Sequence, residues 1–413
     1  MKKIFLFIFL FIFSLSLTGC EYFGFTGINP SINELTSSNS SKTEIVSSEI
    51  GSQKFDNPFI KWDLADPCIY RADDGYYYIY STQSNQDFDG DGSSEVAYIP
   101  IIRSLDMVNF EYMGSVFEKK PMWSKDNMNS GVWAPDVIFH NNQYYCYYTL
   151  GLMGNGVDIK KSGIGVATSD YPFGPWTDHG KLFDGYDCDY RDPIDQCVRK
   201  DENGDLYLFF GSFTGIYYYP LSEDGLSVKS NNLKKDKTLI IGNKSVVSHL
   251  NYEAIYMVKM NESYYAFASC GTCCDGKAST YHVVCFKSDS LLGPYYQSDG
   301  EDAFQSKRGD LVIGCYDDKN NRWLKGNSIG NVAGPGHNAI FKDDKDQYYI
   351  LYHGTSRIGD IKGRILYYDP LMFDENGFPY VENYSSSYGV EQIDSPYIDI
   401  NKYIANFPQS AIF

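Results

Sequence analysis

Residues 251–269 read Asn251-Tyr252-Glu253-Ala254-Ile255-Tyr256-Met257-Val258-Lys259-Met260-Asn261-Glu262-Ser263-Tyr264-Tyr265-Ala266-Phe267-Ala268-Ser269. An acidic residue opens a short apolar segment, a tight polar turn follows, and an aromatic segment comes after the turn. Apolar and aromatic segments that flank a short polar turn are typical of two antiparallel β-strands. The stretch therefore predicts a hairpin with a polar residue at the start of its first strand.

The same pattern occurs five times along the chain. From the opening residue to a tyrosine of the second strand the distance is 12 residues in three copies (195 to 207, 253 to 265, 337 to 349), 11 in one (66 to 77) and 9 in another (136 to 145). Successive openers lie 70, 59, 58 and 84 residues apart, which leaves room for the four strands of a propeller blade. The five opening residues are Asp66, Asp136, Asp195, Glu253 and His337.

Five copies predict an all-β protein with the fold of a five-bladed β-propeller. The innermost strand of each blade lines the central channel, so we expect the five opening residues to ring one end of that channel. A β-sandwich with an accidental repeat is the alternative. It is disfavoured because a sandwich gives no reason for a polar residue at the same inner-strand position each time.

The composition agrees with a large β-rich body and argues against some partners. The chain has 413 residues, of which 43% are hydrophobic, and it contains 37 Tyr and 26 Phe. Aromatic residues favour strands. The formal net charge of −18 argues against a nucleic-acid partner, because phosphate binding needs clustered Lys and Arg. No apolar run of about 20 residues follows the N-terminus, so no spanning helix is expected in the body.

The N-terminus has the layout of a secretory signal, with two lysines before an apolar run over residues 4–17. The run ends in Leu17-Thr18-Gly19-Cys20, which resembles a bacterial lipobox, whose Cys becomes the lipidated first residue of the mature protein. An ordinary signal peptide with a chance cysteine is the alternative. We predict a lipoprotein signal peptide over residues 1–20 and an exported protein that a lipid on Cys20 anchors at the bacterial cell surface.

Residues 21–55 are rich in Ser, Thr, Asn and Glu and lack a periodic apolar pattern, which predicts a flexible tether. The propeller is predicted to occupy residues 56–413 and to be a monomer. The ten cysteines show no paired CxxC spacing typical of zinc sites. Export permits disulfides, but the sequence does not assign the pairs.

Several carboxylates at one end of a channel raise one another's pKa and oppose folding. Such a cluster therefore indicates a metal site or acid–base chemistry. Hydrolysis of a glycosidic bond needs a carboxylic acid that protonates the leaving oxygen and a carboxylate that activates water or attacks the sugar. A third carboxylate near the acid would keep that acid protonated at neutral pH. A turn or strand cap explains a single Asp better, but it does not explain five polar residues in phase.

Five motifs follow one another at the spacing of the blades. They are Leu64-Ala65-Asp66-Pro67, Trp133-Ala134-Pro135-Asp136-Val137, Ile194-Asp195 with Asn203-Gly204, Tyr252-Glu253-Ala254, and Gly334-Pro335-Gly336-His337-Asn338. Together they resemble the motifs of family 43 glycoside hydrolases, over about residues 57 to 380. Within that family the chain is most similar to the arabinan endo-1,5-α-L-arabinosidases, partly through Ser269, Cys273-Cys274 and Ser279-Thr280-Tyr281. The family's fold is a five-bladed propeller, in agreement with the repeat count.

The resemblance implies an inverting mechanism and a role for each carboxylate. Asp66 would be the general base that activates water, Glu253 the general acid, and Asp195 the residue that raises the pKa of Glu253 and orients it. Because an inverting pair leaves room for water, we expect the carboxyls of Asp66 and Glu253 to be about 6.5–9.5 Å apart. Gln196 and Ile255 stand where the family usually has proline, which leaves the carboxylates themselves unchanged.

Asp192 offers a competing carboxylate, because the related β-fructosidases use an Arg-Asp-Pro motif and the chain contains Arg191-Asp192-Pro193. Asp195 lies 12 residues before Tyr207, as in two other copies, whereas Asp192 lies 15 before it. The repeat therefore favours Asp195.

The resemblance also implies that His337 helps to hold a channel ion, commonly calcium, largely through water. Calcium prefers oxygen ligands, so a histidine alone indicates it weakly, and a satisfied core histidine is the alternative. A second stretch, Asp87-Phe88-Asp89-Gly90-Asp91-Gly92, begins like a calcium loop, but Tyr98 stands where the bidentate Glu is expected. A solvated acidic hairpin tip is the favoured interpretation of that stretch.

Substrate contacts are predicted from aromatic residues near the openers. Trp133 and Phe213 are expected to stack on sugar rings, with core packing as the alternative, and Asp136 is expected to contact the substrate. Ser212-Phe213-Thr214 matches a substrate-lining segment of the family.

The resulting hypothesis is an inverting endo-arabinanase that takes α-1,5-linked arabinan or arabino-oligosaccharides from plant cell walls. The alternatives are an exo-acting α-L-arabinofuranosidase or β-xylosidase of the same family, or a non-catalytic sugar-binding propeller.

Overall fold

Five antiparallel sheets follow one another along the chain, and in each sheet the first strand pairs with the second, and so on outward. The computed structural model describes residues 49–50, 52–124, 126, 129–154, 156–242, 252–304, 309–314, 316–317, 322–323 and 330–403. The predicted signal peptide, Cys20 and the predicted tether up to residue 48 lie outside these residues.

The strands of the five sheets have the following bounds. Blade one comprises Cys68–Arg71, Tyr77–Tyr80, Glu95–Ser104 and Glu111–Phe117, with Ser84–Gln86 beside its third strand. Blade two comprises Gly131–His140, Gln143–Gly151, Gly163–Ser169 and Thr177–Asp184. Blade three comprises Cys197–Lys200, Leu206–Phe210, Ile216–Pro220 and Thr238–Ile241. Blade four comprises Glu253–Met260, Ser263–Cys270, His282–Ser288 and Asp310–Ile313. Blade five comprises Val332–Lys342, Tyr348–Ser356, Ile365–Phe373 and Pro379–Val381.

The innermost strands form a closed ring, in which each contacts the next and the fifth contacts the first. The second strands are buried on both faces because a neighbouring blade packs on each side; all four residues of Tyr77–Tyr80 are buried, for example. Five separate hydrophobic clusters fill the five spaces between neighbouring blades. The large Tyr and Phe side chains suit these spaces, since each aromatic ring buries a large apolar area. The prediction of a five-bladed propeller is confirmed.

Two short strands before the first blade pair with strands near the end of the described chain. Glu49–Ile50 pairs with Ile398–Asp399, and Lys54–Phe55 pairs with Ile393–Asp394. The ring of Phe55 stacks on Tyr368 with centroids 4.6 Å apart. The prediction that the tether extends to residue 55 is therefore wrong at its C-terminal end, because Phe55 buries its ring in the body.

Short helices lie between strands, between blades two and three, and after blade five. In the part of the chain that the structure describes, the α-helices are Gly185–Cys188 and Leu233–Asp236, and the 3-10 helices are Ile159–Lys161, Gly276–Ala278, Glu382–Tyr384 and Ile400–Lys402. A small hairpin consists of Tyr316–Asp317 and Arg322–Trp323. Among the described residues, the helices lack the length and apolar character that crossing a membrane requires.

Candidate active site

One residue within or just before each innermost strand has a left-handed backbone. These residues have φ values of 54°, 46°, 58°, 53° and 48°, and they are Asp66, Ala134, Asp195, Ala254 and His337. In blades two, four and five the pairing with the second strand shifts register at this place, as in a β-bulge, which re-aims the neighbouring side chains. Left-handed non-glycine residues cluster at functional sites.

This common feature corrects the register of the repeat in two blades. The left-handed residue is Ala134 in blade two and Ala254 in blade four, not Asp136 and Glu253. The five opening residues of the repeat therefore do not occupy equivalent backbone positions. The prediction that their five polar side chains form one ring is wrong. Glu253, one residue away from the common position, still reaches the site, whereas Asp136 does not.

The amides of four of these residues are bonded to the preceding blade. The N–H of Asp66 donates to His353 Nδ1 (3.0 Å), and the N–H of Ala134 donates to Thr82 Oγ1 (2.9 Å). The N–H of Ala254 donates to Asp195 Oδ2 (3.1 Å), and that of His337 donates to Ser269 Oγ (2.9 Å). Buried amides need such partners, so these contacts fix where each bulge lies.

Asp66 is surrounded by donors. Its side chain is 13% exposed, and Thr82 Oγ1 donates to Oδ2 at 2.5 Å. Oδ1 lies 3.3 Å from a guanidinium nitrogen of Arg364 and 3.2 Å from His337 Nδ1. Burial alone would raise the pKa of Asp66, but Arg364 and His337 outweigh it and hold this pKa well below its ordinary value. Asp66 is therefore a carboxylate at neutral pH.

Glu253 has the opposite environment. It is buried, and its Oε2 accepts a hydrogen bond from Ser212 Oγ at 2.8 Å. Burial raises the pKa of Glu253, and the negative charge of Asp66 adds to this, while hydrogen bonds from Ser212 and Tyr281 oppose it. The net effect is a pKa of Glu253 above its ordinary value.

Asp195 couples these two carboxyls. Burial raises the pKa of Asp195 to about 7, and the charges of Glu253 and Asp66 push in the same direction. Because Asp195 and Glu253 interact, their protons belong to the pair. The pair therefore keeps a proton to near neutral pH, which is what a general acid requires.

His337 lies in the same site and favours the charged form. Burial lowers the pKa of His337, but the carboxylates of Asp66, Asp195 and Glu253 outweigh burial and raise it. The nearby His353 is different, since burial and the Arg364 charge lower its pKa. His353 is therefore a neutral acceptor for the Asp66 amide, not a charged partner of its carboxylate.

His337 Nδ1 lies 3.2 Å from Asp66 Oδ1. Calcium takes six to eight oxygen ligands, so His337 would hold such an ion largely through water. Among the described residues, three acidic oxygens converge within 4.8 Å in the loop of Asp87, Asp89 and Asp91. The channel calcium stays a prediction, and no step of the mechanism below depends on it.

Among the residues predicted to contact the substrate, Asp136 is the one whose position in the structure contradicts the prediction. It is buried, and Arg199 binds both of its carboxylate oxygens (2.9 and 3.1 Å), while the N–H of Val198 donates to Oδ2 at 2.6 Å. Because it lies two residues beyond the left-handed Ala134, its side chain joins blades two and three. The prediction that Asp136 contacts the substrate is wrong, and its role is structural.

The indole ring of Trp133 is partly exposed. It lies against Gly131 and Gly151, where an added Cβ would overlap the ring. These close contacts fix the ring, and a fixed, partly exposed ring suits stacking on a sugar. Its contact with a sugar stays a prediction.

The segment 212–214 has mixed roles. Ser212 is buried and bonds Glu253, so it positions the acid. Phe213 is partly exposed with φ of 63°, and the Arg191 guanidinium lies 5.7 Å from the centre of its ring. Thr214 is also partly exposed. Phe213 and Thr214 are therefore available to a ligand.

Several residues of the site carry no signal in the strand-opening pattern. Thr82, Tyr281, His353 and Arg364 come from outer strands or loops, and they reach the carboxyls only in the folded chain. Asp192 is also buried near Glu253, although the spacing of the repeat favours Asp195 over it as the site carboxylate. Burial raises the pKa of Asp192 to about 7, and the charge of Glu253 adds to this.

The comparison with known proteins decides the family. The family described as "Glycosyl hydrolases family 43" matches residues 55–379. The chain belongs to this family. It is therefore a glycoside hydrolase, and the family membership predicted from the five motifs is confirmed.

Among relatives, "Extracellular exo-alpha-(1->5)-L-arabinofuranosidase ArbA" of Cellvibrio japonicus is 29% identical over 335 residues, 78% of this chain and 86% of the relative. "Extracellular endo-alpha-(1->5)-L-arabinanase 1" of Bacillus subtilis is 26% identical over 269 residues, 63% of this chain and 74% of the relative. The solved α-L-arabinanase of Cellvibrio cellulosa complexed with arabinohexaose superposes with a TM-score of 0.62 at 25% identity, over 79% of this chain and 97% of the other.

We expect activity to depend on pH as a broad bell. The acid limb of kcat/KM should fall below the ordinary carboxyl range, because the pKa of Asp66 is lowered. The alkaline limb should lie well above that range, because the Asp195–Glu253 pair keeps a proton. Asp195→Asn should move the alkaline limb to lower pH, since it removes a negative charge beside Glu253. An unchanged alkaline limb in this variant would contradict the coupling.

Asp136→Ala should lower the free energy of unfolding by about 3–5 kcal/mol, because it leaves the Arg199 charge without its partner in a buried site. Urea unfolding measures this loss. Asp394→Ala is the matched control, since Lys54 and Asp394 form an exposed pair and such pairs contribute about 0–1 kcal/mol. Equal losses in both variants would show that Asp136 is not a structural anchor.

Proposed function

We propose that this enzyme cleaves α-1,5-linked L-arabinan within the chain, with inversion at the anomeric carbon. The observation that carries the proposal is a site that shifts the pKa values of two carboxyls in opposite directions. Arg364 and His337 lower the pKa of Asp66, and burial raises the pKa of Glu253. A glycosidase needs one ionised and one protonated carboxyl, and inversion is what the resemblance to the family implies.

In the proposed mechanism Glu253 gives its proton to the glycosidic oxygen as the bond from this oxygen to the anomeric carbon breaks. Asp66 takes a proton from a water molecule that attacks the anomeric carbon from the opposite face. Asp195 helps Glu253 to stay protonated, and by accepting the N–H of Ala254 it fixes the backbone next to Glu253. Solvent then returns a proton to Glu253 and removes one from Asp66.

The choice of arabinan rests on the relatives, which are named as an exo-α-(1→5)-L-arabinofuranosidase and an endo-α-(1→5)-L-arabinanase. The endo mode is supported by a cleft beside Asp66, lined by Thr82, Arg364 and Cys273, which has room for a further sugar unit. Trp133 and Phe213, from blades two and three, are partly exposed and are proposed to bind other units of the chain. The Cellvibrio japonicus relative supports exo action as the second candidate.

The test compares Asp66→Ala, Asp195→Ala and Glu253→Ala with the wild-type enzyme on linear arabinan, debranched arabinan and xylan. We expect each variant to fold and to lose at least about a hundredfold in activity, the usual scale for removing an acid or a base. Wild-type products from linear arabinan should be short oligomers. Monomer alone would indicate exo action, release from xylan a xylosidase, and binding without turnover a non-catalytic propeller.

We also propose export and lipid anchoring. The apolar run over residues 4–17 and the Leu17-Thr18-Gly19-Cys20 stretch support it, as do the relatives named as extracellular. In a bacterial host, the wild-type protein should fractionate with membranes and carry a lipid at Cys20, while Cys20→Ser should lose the lipid. A wild-type mature protein without lipid, cleaved elsewhere, would support an ordinary signal peptide instead.

A further inference from the structure

A cleft of about 450 Å³ lies directly beside the proposed base. Its wall includes Ala65, the neighbour of Asp66, and both Thr82 and Arg364, which bond the Asp66 carboxylate. A sugar unit bound here would therefore adjoin the reacting unit of the same chain.

The cleft combines polar groups with an apolar surface that contains no aromatic side chain among its described residues. Its described lining includes the amide side chains of Gln83, Asn85 and Gln86, which suit hydroxyl groups, and contains no aromatic ring. Ligand sites combine a few polar groups with apolar surface. Cys273 and Cys274 both line this cleft and contribute to its apolar surface.

Cys273 and Cys274 form a disulfide between adjacent residues. Cys274 is exposed and Cys273 is partly buried, whereas the six described free cysteines are all buried. Sulfur in such a bond is polarizable and apolar. The pair thus places a small rigid apolar ring on the cleft wall.

Stability of the fold does not explain this disulfide. In the chain-entropy account, a disulfide stabilises by closing a loop of the unfolded chain, and the effect grows with loop length. A bond between neighbours closes essentially no loop. The position of the disulfide in the cleft wall therefore says more about its role than its effect on stability does.

The loop that carries the disulfide is held rigidly and is connected to the acid. Ser279 Oγ donates to the Cys273 carbonyl (3.2 Å) and accepts from the N–H of Asp275 (3.0 Å). Two residues further along, Tyr281 hydrogen-bonds Glu253. A surface fixed in this way loses little freedom when a ligand binds.

We propose that the Cys273–Cys274 disulfide is the apolar platform of a sugar subsite, on which one pentose ring of the substrate chain packs while the neighbouring amides bind its hydroxyls. This subsite deepens the proposed arabinanase function and rests on it. It assigns the adjacent cysteines to substrate binding.

The direct test is protection of the disulfide from reduction. Glu253→Gln is incubated with a phosphine reductant and with arabinohexaose or maltohexaose, and mass spectrometry follows the Cys273–Cys274 bond. With arabinohexaose at about ten times its Kd, reduction should slow about tenfold, because only the free enzyme is open to attack. Maltohexaose should leave the rate unchanged. An arabinohexaose-bound enzyme that is reduced at the free-enzyme rate overturns the subsite.

A kinetic test uses the double variant Cys273→Ala/Cys274→Ala, with Lys277→Ala as a control in the same loop that does not line the cleft. The double variant should lose about tenfold in kcat/KM on arabino-oligosaccharides long enough to reach the cleft, the scale of one lost apolar contact. The shortest cleaved substrate should be unaffected. Uniform loss at all lengths overturns the proposal in favour of a structural role.

Wild-type hydrolysis of arabinan is measured alongside. If it occurs and the disulfide is not protected, the subsite fails while the proposed function stands. If the wild-type enzyme does not cleave arabinan, the proposed function fails and the pentose subsite fails with it.

Discussion

The rest of the structure depends on how blade five encloses the carboxylate of Asp66. His337, His353 and Arg364 come from the first, second and third strands of blade five or their edges, and all three meet Asp66 of blade one. These contacts join the last blade to the first and so close the ring of sheets. They also set the ionisation of Asp66, because a guanidinium and a charged imidazole outweigh the effect of burial. The contacts that prepare the base thus also take part in closing the ring of blades, together with the hydrophobic cluster between blades one and five.

The acid is prepared by burial, which raises the pKa of Glu253 although the charge of His337 opposes this. The hydrogen-bond donors of Glu253 are the hydroxyl groups of Ser212 and Tyr281, and hydroxyls stabilise a carboxylate less than charged donors do. Asp195 lies between the two environments and feels both carboxylates. A single channel therefore holds carboxyls of different pKa because its two sides are built from different blades. Environment, and not residue type, assigns the roles of acid and base.

Buried charge in the channel serves two separate purposes. Near Asp66 it serves catalysis, and around Asp136 it serves packing, since Arg199 and the Val198 amide satisfy that carboxylate completely within blades two and three. Breaking such a pair leaves an uncompensated charge in a poorly solvated place. The same motif, Trp133-Ala134-Pro135-Asp136, thus supplies a partly exposed ring to the site and an ionic anchor to the interior.

The sequence by itself determined the number of blades, the family and the acidic residues 66, 195 and 253, because alternating apolar and polar residues and the repeated hairpin are local properties of the chain. It misassigned Asp136, and it placed residues such as Phe55 outside the body. A left-handed residue that shifts the register, as at Ala134 and Ala254, leaves no mark that a count of residues detects. Only the tertiary structure brought Arg364, His353, Thr82 and Tyr281 to the carboxyls, since these residues lie on outer strands and loops distant in the chain. The physical reason is that pKa values and bonding partners depend on distances through space, which the order of residues does not contain.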